Sequence, residues 1–428
     1  MHPVGRQSAP MLTTHTEIDM DYQQLPLSGL EAPLNEMEKM IQDNVHHFAL
    51  SVMRPAGVEL DHMTPEQVVA ADSILWDVLE KAEGLGLSVL AMAELPPLER
   101  VKLFAVASEE LAWGDPGLAG SILVNHFPVI YSMLAGNMAM AEFCEGKRGC
   151  WGITEPDHGS DMLDGNAVIA APGSSYGRPN CLARIVGDKV IVNGQKAAWV
   201  SGAMTAEVCA LFCHYADEEG NTRPGVAVIV PLDLPGVSRG KPLDKMGVRG
   251  LNQGELYFDN VEVPIANLLA GPDQFQDLVY RMLSEANPHV AALAVGVARA
   301  AFEHAWTYAH ERKQGGQPLI RHQHVRFRLF EMFRKVEGAR ALTRRVMDYN
   351  ATAPYPSLLG STSAKVTATQ TAFEVASDAL QMFGGNGLTR EYPMEKLFRD
   401  ARSLMIADGA NEVLAMKGAS DLINPELI

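Results

Sequence analysis

Basic side chains are scarce in this chain of 428 residues: 35 Lys and Arg stand against 52 Asp and Glu, a formal charge of −17. Nucleic-acid binding and attachment to an anionic membrane both need a basic face, so no nucleic acid and no membrane is expected among its partners. A local basic pocket for an anionic small molecule stays compatible with that balance. Long apolar runs are missing as well. No stretch of ~18 uncharged apolar residues occurs, the length a membrane-spanning helix requires, and the most apolar region, near 289–302, is interrupted by Arg299. The N-terminus has no continuous apolar leader, and Glu17, Asp19 and Asp21 argue against a transit peptide, which leaves the cytoplasm as the expected compartment. Cysteine is sparse and odd in number: Cys144, Cys150, Cys181, Cys209 and Cys213 read as reduced thiols rather than a disulfide framework. Cys209 and Cys213 lie in the apolar run 208–213 and fit a packed strand better than a metal knuckle. His304, His310, His322 and His324 have no carboxylate at a metal-binding spacing and no His-Glu-x-x-His occurs, so no metal is expected. No Gly-x-Gly-x-x-Gly follows a strand. Gly384-Gly-Asn-Gly387 closes a helix instead of opening one, which disfavours a nicotinamide site.

The chain carries 47% hydrophobic and 20% charged residues, the mixture of a globular protein long enough for more than one core. Residues 1–20 read as a flexible tail. From 34 to 145 the pattern is helical, with Val68, Ala71, Ile74, Leu75, Val78 and Leu79 on one stripe and Thr64-Pro65-Glu66-Gln67 as its start signal. A further helix over Ala107–Trp113 ends at Gly114-Asp115-Pro116-Gly117. Between 152 and 264 short alternating runs predict half-buried strands, with Asn193-Gly194 and Asp217–Gly220 as turns and Pro172–Pro179 as an extra loop. After Pro272 long helices return; Ser361 is a candidate cap for the stripe Val366, Thr369, Phe373, Ala376, Leu380 and Phe383, and Gly384 its left-handed terminator. The expected architecture is α+β and multidomain: a tail 1–20, an N-terminal helical domain 21–150, a middle β-barrel domain 151–268 and a C-terminal four-helix bundle 269–428.

Four motifs stand in that frame. Trp151-Gly-Ile-Thr-Glu-Pro-Asp-His-Gly-Ser-Asp161 marks the helical-to-β junction, where Glu-Pro fixes an extended turn and Gly159-Ser160 allows close backbone approach to a ligand. Asn193-Gly-Gln-Lys-Ala-Ala-Trp-Val-Ser-Gly-Ala203 follows, then Tyr308-Ala-His-Glu-Arg-Lys-Gln-Gly-Gly-Gln-Pro-Leu-Ile-Arg-His-Gln323, then Gln381-Met-Phe-Gly-Gly-Asn-Gly387 with Ile406-Ala-Asp-Gly-Ala-Asn-Glu412. Read alone, each has an ordinary structural explanation: a turn, a core tryptophan, a solvated arginine, a helix stop. In this order, over about 34–420, they resemble the acyl-CoA dehydrogenase family, flavoproteins that desaturate thioesters between the α and β carbons. The resemblance implies FAD as cofactor, an acyl-CoA substrate, an electron-transfer flavoprotein as electron acceptor and a homo-oligomer, dimer or tetramer, working in fatty acid metabolism.

By the same resemblance Ile153, Thr154 and Trp199 lie along the flavin, Ser160 touches cofactor and thioester, and Ser201 reaches flavin N5. Arg312, with Gln314 and Gln323, reaches the FAD of a neighbouring subunit, Arg312 as a two-pronged partner of pyrophosphate. Gln381, Gly384 and Gly385 pass along the same FAD, and Asn411 is a further cofactor contact. Asp408 stands where the family carries a glutamate, the base for the α proton; Asn287, Ala407 and Gly409 flank the substrate. The departures are a carboxylate one methylene shorter at Asp408, Ala407 for a tyrosine, Asn287 for an arginine and Gly315 for an aromatic. An aspartate base, an insertion like Pro172–Pro179 and a double glycine like Gly315-Gly316 also resemble nitroalkane oxidases of the same superfamily, although the arginine expected seven residues after the base is Ala415. A nitroalkane oxidase-like enzyme or other flavin oxidase or monooxygenase, and a catalytically silent flavin-binding paralogue, are the alternatives.

Overall fold

Cap chemistry decides where the first helices begin. The computed structural model describes residues 29–163, 179–219 and 222–423, so the tail expected over 1–20 and most of the loop expected over Pro172–Pro179 lie outside the described residues. Helices α1 (Glu36–Phe48), α2 (Arg54–His62), α3 (Pro65–Val68), α4 (Ile74–Glu83), α5 (Val89–Ala93), α6 (Pro97–Gly114), α7 (Pro116–Val124), α8 (Phe127–Leu134) and α9 (Met138–Cys144) come first. Thr64 forms the expected capping box with Gln67, but the helix it starts is only α3. The expected single stripe is split because a second hydroxyl, Ser73, accepts from the Leu75 N–H at 3.2 Å and starts α4 afresh. Among the described residues no single helix is long and apolar enough to cross a membrane, and the apolar pair α7 and α8 is bent by 47°.

The β segment is one eight-stranded sheet, in the order β6 (Val237–Arg239), β7 (Gln253–Pro264), β3 (Lys189–Ser201), β2 (Cys181–Val186), β4 (Val208–Ala216), β5 (Thr222–Pro231) and β8 (Leu268–Ala270), with β1 (Gly149–Gly152) sharing an edge of β4 with β2. Period-two alternation sorts the side chains of β4. Cys209, Leu211 and Cys213 join Val190, Val192, Val228, Leu256 and Val263 in a core enclosed by the strands themselves. Val208, Ala210 and Phe212 face the other way, against Tyr131, Trp151 and Phe275. All five cysteines are free and buried, as their scatter implied. Asn193-Gly194 is not a hairpin turn: it lies inside β3 at a register shift against β7, where Gly194 takes φ +120° and a Cβ would sit 2.0 Å from the Asn180 carbonyl oxygen.

The C-terminal segment holds α10 (Phe275–Glu311), a two-stranded ribbon β9 (Lys313–Gln314) and β10 (Gln317–Pro318), then α11 (Gln323–Thr352), α12 (Leu358–Phe383), α13 (Met394–Leu404) and α14 (Asn411–Ile423). Ser357, not Ser361, caps α12 by accepting from the Gly360 N–H at 3.0 Å; Ser361 lies one turn inside and bonds the Ser284 carbonyl. Gly384 ends α12 with φ +60°, as expected of a terminator. Buried charge joins the segments. Arg299 of α10 reaches Glu109 and Glu110 of α6, and Arg340 of α11 reaches Glu109 at 2.7 Å.

Helices α6 and α10 touch at Gly296, where an added Cβ would lie 2.3 Å from the Glu109 carbonyl oxygen. Gly296→Val should therefore lower unfolding stability by roughly 1–3 kcal/mol, the usual cost of overpacking. Urea unfolding of the purified protein checks this, and an unchanged midpoint would remove the close contact as a constraint.

Candidate active site

Asp408 is held in a left-handed backbone conformation, φ 51°, between α13 and α14, followed by Gly409 at φ 106°. A non-glycine residue there is strained and persists only where its surroundings dictate it. Ile406 and Ala407 donate their N–H groups to the Ser403 carbonyl at 3.1 and 3.2 Å, and Asn411 donates to Met405 at 3.1 Å. Beneath the loop the buried Lys365 of α12 donates to Gly409 O at 2.6 Å, to Asn411 Oδ1 at 2.8 Å and to Met405 O at 3.4 Å. Among the described residues nothing hydrogen-bonds the Asp408 carboxyl or its own N–H. Burial pushes the Asp408 carboxyl up to about 6, opposed by the Lys365 ammonium. From the β segment the Ser160 hydroxyl accepts the Ala410 N–H at 3.0 Å, so two distant motifs meet here. Burial pushes the Tyr131 hydroxyl of α8 up, and the charges of Asp408 and Glu285 add to this; among the described residues no partner bonds that hydroxyl.

A cavity of about 480 Å³ opens between the turn Thr154–Gly159 and the strand residues Gln195, Ala197 and Trp199, with Glu255 at its edge. Trp199 is 58% exposed on this wall, so it is a free aromatic face and not a core tryptophan. The turn is shaped from beneath. Lys196, fully buried, bonds Glu155 at 2.6 Å and the Ile153 carbonyl at 2.9 Å, while Glu155 also accepts the Asn180 N–H at 2.7 Å. Along the same strand Ser201 Oγ accepts from Gln253 Nε2 at 2.9 Å, and Gln253 Oε1 accepts from the Lys245 ammonium at 2.9 Å. An ammonium can only donate, so it fixes the amide's orientation and leaves the Ser201 hydroxyl proton free to be donated elsewhere.

The expected residues divide into three groups. Asp408, Ala407, Gly409 and Ser160 come together in one loop contact, and Thr154 and Trp199 line one cavity. Ile153 does not line that cavity: its side chain is packed in the core. Asn411, expected at the cofactor, is buried with its amide engaged by Lys365 and Thr369, so it holds the loop instead. Asn287 is fully buried, and among the described residues neither atom of its amide has a partner. Arg312, Gln314, Gln323, Gln381, Gly384 and Gly385 are all exposed, and none lines the cavity at Trp199. The aromatic missing at Gly315 has a local reason: Gly315 and Gly316 take φ +63° and +83° as the two-residue loop joining β9 to β10. Sequence reading missed Lys365, Gln253 and Tyr131, and gave no role to Lys245. A lone lysine or glutamine in a helical or strand pattern carries no signal of what it will face.

The family model described as acyl-CoA dehydrogenase, C-terminal domain, matches residues 277–423, and that described as acyl-CoA dehydrogenase, middle domain, matches residues 150–261. The chain is 32% identical over 339 residues to the probable acyl-CoA dehydrogenase YngJ of Bacillus subtilis (strain 168), covering 75% of this chain and 82% of that protein. It is 28% identical over 417 residues to the short-chain specific acyl-CoA dehydrogenase, mitochondrial, of Rattus norvegicus, covering 94% of each. The solved butyryl-CoA dehydrogenase from Megasphaera elsdenii superposes with a TM-score of 0.80 at 26% identity, over 92% of this chain and 100% of that one.

The pair under the Thr154–Gly159 turn gives a direct test. Lys196→Met leaves Glu155 buried without its cation and should cost about 3–5 kcal/mol of stability. Equilibrium unfolding measures it; a loss under 1 kcal/mol would show that the turn does not depend on the pair.

Proposed function

The chain belongs to the acyl-CoA dehydrogenase family, and on that premise we propose that it desaturates an acyl-CoA thioester between Cα and Cβ, with FAD as cofactor and Asp408 as base. The observation that carries this reading is the state of Asp408: a carboxyl raised to about 6 which, like its backbone N–H, has no hydrogen-bond partner among the described residues. The residues present fit the cofactor. The open cavity at Thr154 and Trp199 offers a flat aromatic wall for a ring system, and Ser201 has a hydroxyl proton to donate on that strand. Bound FAD would supply the two-electron sink for the β hydrogen; the other requirements fall on this chain.

Above about pH 6 the Asp408 carboxylate can take the α proton: the Cα–H bond breaks, its electron pair moves toward the thioester carbonyl, and the proton ends on a carboxyl oxygen. An unshifted carboxylate is too weak a base for this, so the raised pKa serves the step. The developing charge on the carbonyl oxygen needs a donor, and the Asp408 N–H is free to be one. Ser160 ties the β segment to this loop, which fixes the base relative to the cavity wall. An aspartate reaches less far than glutamate, so the loop backbone must stand closer to the substrate. The aspartate and the Gly315-Gly316 ribbon also support the nitroalkane oxidase-like reading, in which a more acidic substrate meets the same base.

The cavity at Trp199 holds Glu255 and Asp157 but no cation for a pyrophosphate. Arg312 and its companions are exposed elsewhere, flanked by Phe327, Phe330 and Leu388 at 60%, 60% and 72% exposure. This supports a homo-oligomer, dimer or tetramer, in which a second copy brings Arg312 to the cofactor. The wider setting we infer is cytoplasmic fatty acid metabolism, with an electron-transfer flavoprotein as acceptor.

Anaerobic mixing of FAD-loaded protein with a panel of acyl-CoAs should bleach the oxidised flavin, with a rate that rises through a midpoint near pH 6. Asp408→Asn should slow that reduction by about 100- to 10,000-fold while FAD stays bound. Unchanged reduction would remove Asp408 from the mechanism. Bleaching by nitroalkanes alone would favour the second reading, and bleaching by neither class a flavin-binding protein without turnover. Phe330→Glu should shift the assembly toward monomer in sedimentation and release FAD together with it; a monomer that keeps its full FAD content would contradict the shared site.

A further inference from the structure

Lys365 is fully buried on α12, directly under the loop that carries Asp408. Burying an ammonium is costly unless its charge and its three donors are satisfied. Several other buried cations meet carboxylates: Lys196 meets Glu155, Lys396 meets Asp115 and Asp400, and Arg299 meets Glu109 and Glu110; Lys245, like Lys365, is ringed by neutral oxygens, but none of them flanks Asp408. Lys365 bonds only neutral oxygens, those of Met405, Gly409 and Asn411. These three residues bracket Asp408 on both sides. Thr369, one turn further along α12, completes the clamp: it donates to the Lys365 carbonyl at 2.8 Å and accepts from Asn411 Nδ2 at 3.0 Å.

Resting on the reading of Asp408 as base, we propose that Lys365 is its positioning residue, locking the Asp408 loop in its left-handed turn and supplying the positive charge against which the carboxylate ionises. The donors act on geometry. They reach both flanks of Asp408, so the loop cannot relax without leaving an ammonium buried and unsatisfied. The charge acts on protonation. Burial alone pushes the Asp408 carboxyl up, and the ammonium opposes it; in return the carboxylates of Asp408 and Glu412 oppose the pull that burial exerts on Lys365. The other titratable groups near the loop are Glu412 at the start of α14, Tyr131 and Glu285, and the His158–Asp161 pair beside Ser160. None of these supplies a second fixed cation beside the carboxylate. Removing Lys365 therefore leaves burial unopposed, and the carboxyl must titrate higher.

The test is the pH dependence of anaerobic flavin reduction by an acyl-CoA in the FAD-loaded enzyme, for wild type, Lys365→Gln and Lys365→Met. Both variants should move the midpoint up by a unit or more, so that reduction below pH 6 falls at least tenfold and recovers at higher pH. Lys365→Gln keeps donors for the loop; Lys365→Met loses these too, and amide hydrogen exchange over 405–411 should quicken in it. An unmoved midpoint in a variant that binds FAD would overturn the proposal. Should neither variant fold, Asn411→Asp keeps Lys365 in place and pairs its charge directly; it should raise the midpoint likewise, and an unmoved midpoint there also overturns it. Asp408→Asn separates the two claims. If that variant still reduces flavin normally, the base assignment fails; if it is inert while the Lys365 variants keep the wild-type midpoint, only the role of Lys365 fails.

Discussion

The left-handed backbone at Asp408 is the constraint on which the site depends. Aspartate tolerates φ 51° better than most side chains but still pays for it, and the bonds to the loop's flanks hold it there. A base that must stand against a weakly acidic carbon has to be precise in position, because an error of about 1 Å can cost some 100-fold in rate. It must also be poorly solvated, which a half-buried carboxyl with no hydrogen-bond partner among the described residues achieves. Both properties come from the same few residues of α12, the Ser403–Asn411 loop and Ser160.

That loop is precise only if the three segments of the chain keep their places, and buried charge sees to this. Lys396 of α13 bonds Asp115, the cap of α7, at 2.5 Å and Asp400 at 2.7 Å, while Asp400 accepts the Val248 N–H at 2.6 Å. Helical, β and C-terminal segments thus share one cluster a few residues before Asp408. Val248, a β-branched residue at φ 47°, is strained there more severely than Asp408. Arg399 adds a two-pronged contact to Asp61 at 3.0 and 2.7 Å. Breaking such pairs is costly because it strands a buried charge, so the segments cannot shift independently at this cluster.

Much of this was legible in the residues. The change from helical to alternating patterns near 150 and back after 270 matches the observed segments, and the motif order led to the family that the comparisons establish. Local signals failed where two of them competed. Thr64 and Ser73 both cap, so one expected helix became two; Ser357 took the cap assigned to Ser361; Asn193-Gly194, a turn by composition, became a bulge because β3 continues through it along β7. The supporting residues were illegible for a different reason. Lys365 and Lys245 look like ordinary surface lysines in sequence, and only the fold reveals that each faces a ring of oxygens. Ile153 and Asn411 fell on motif positions, yet their side chains support the site from behind.

The central claim is that the Asp408 carboxylate stands against the α carbon of a thioester, on the side opposite the flavin. A crystal structure of the FAD-loaded protein with a non-reducible acyl-CoA analogue tests it most directly. The account requires an Asp408 carboxyl oxygen about 3–3.5 Å from the α carbon, the reach of a reacting pair, with the ring of FAD on the far face and the thioester oxygen at the Asp408 N–H. A carboxyl turned to solvent, or an analogue bound with its α carbon beyond that reach, would contradict it.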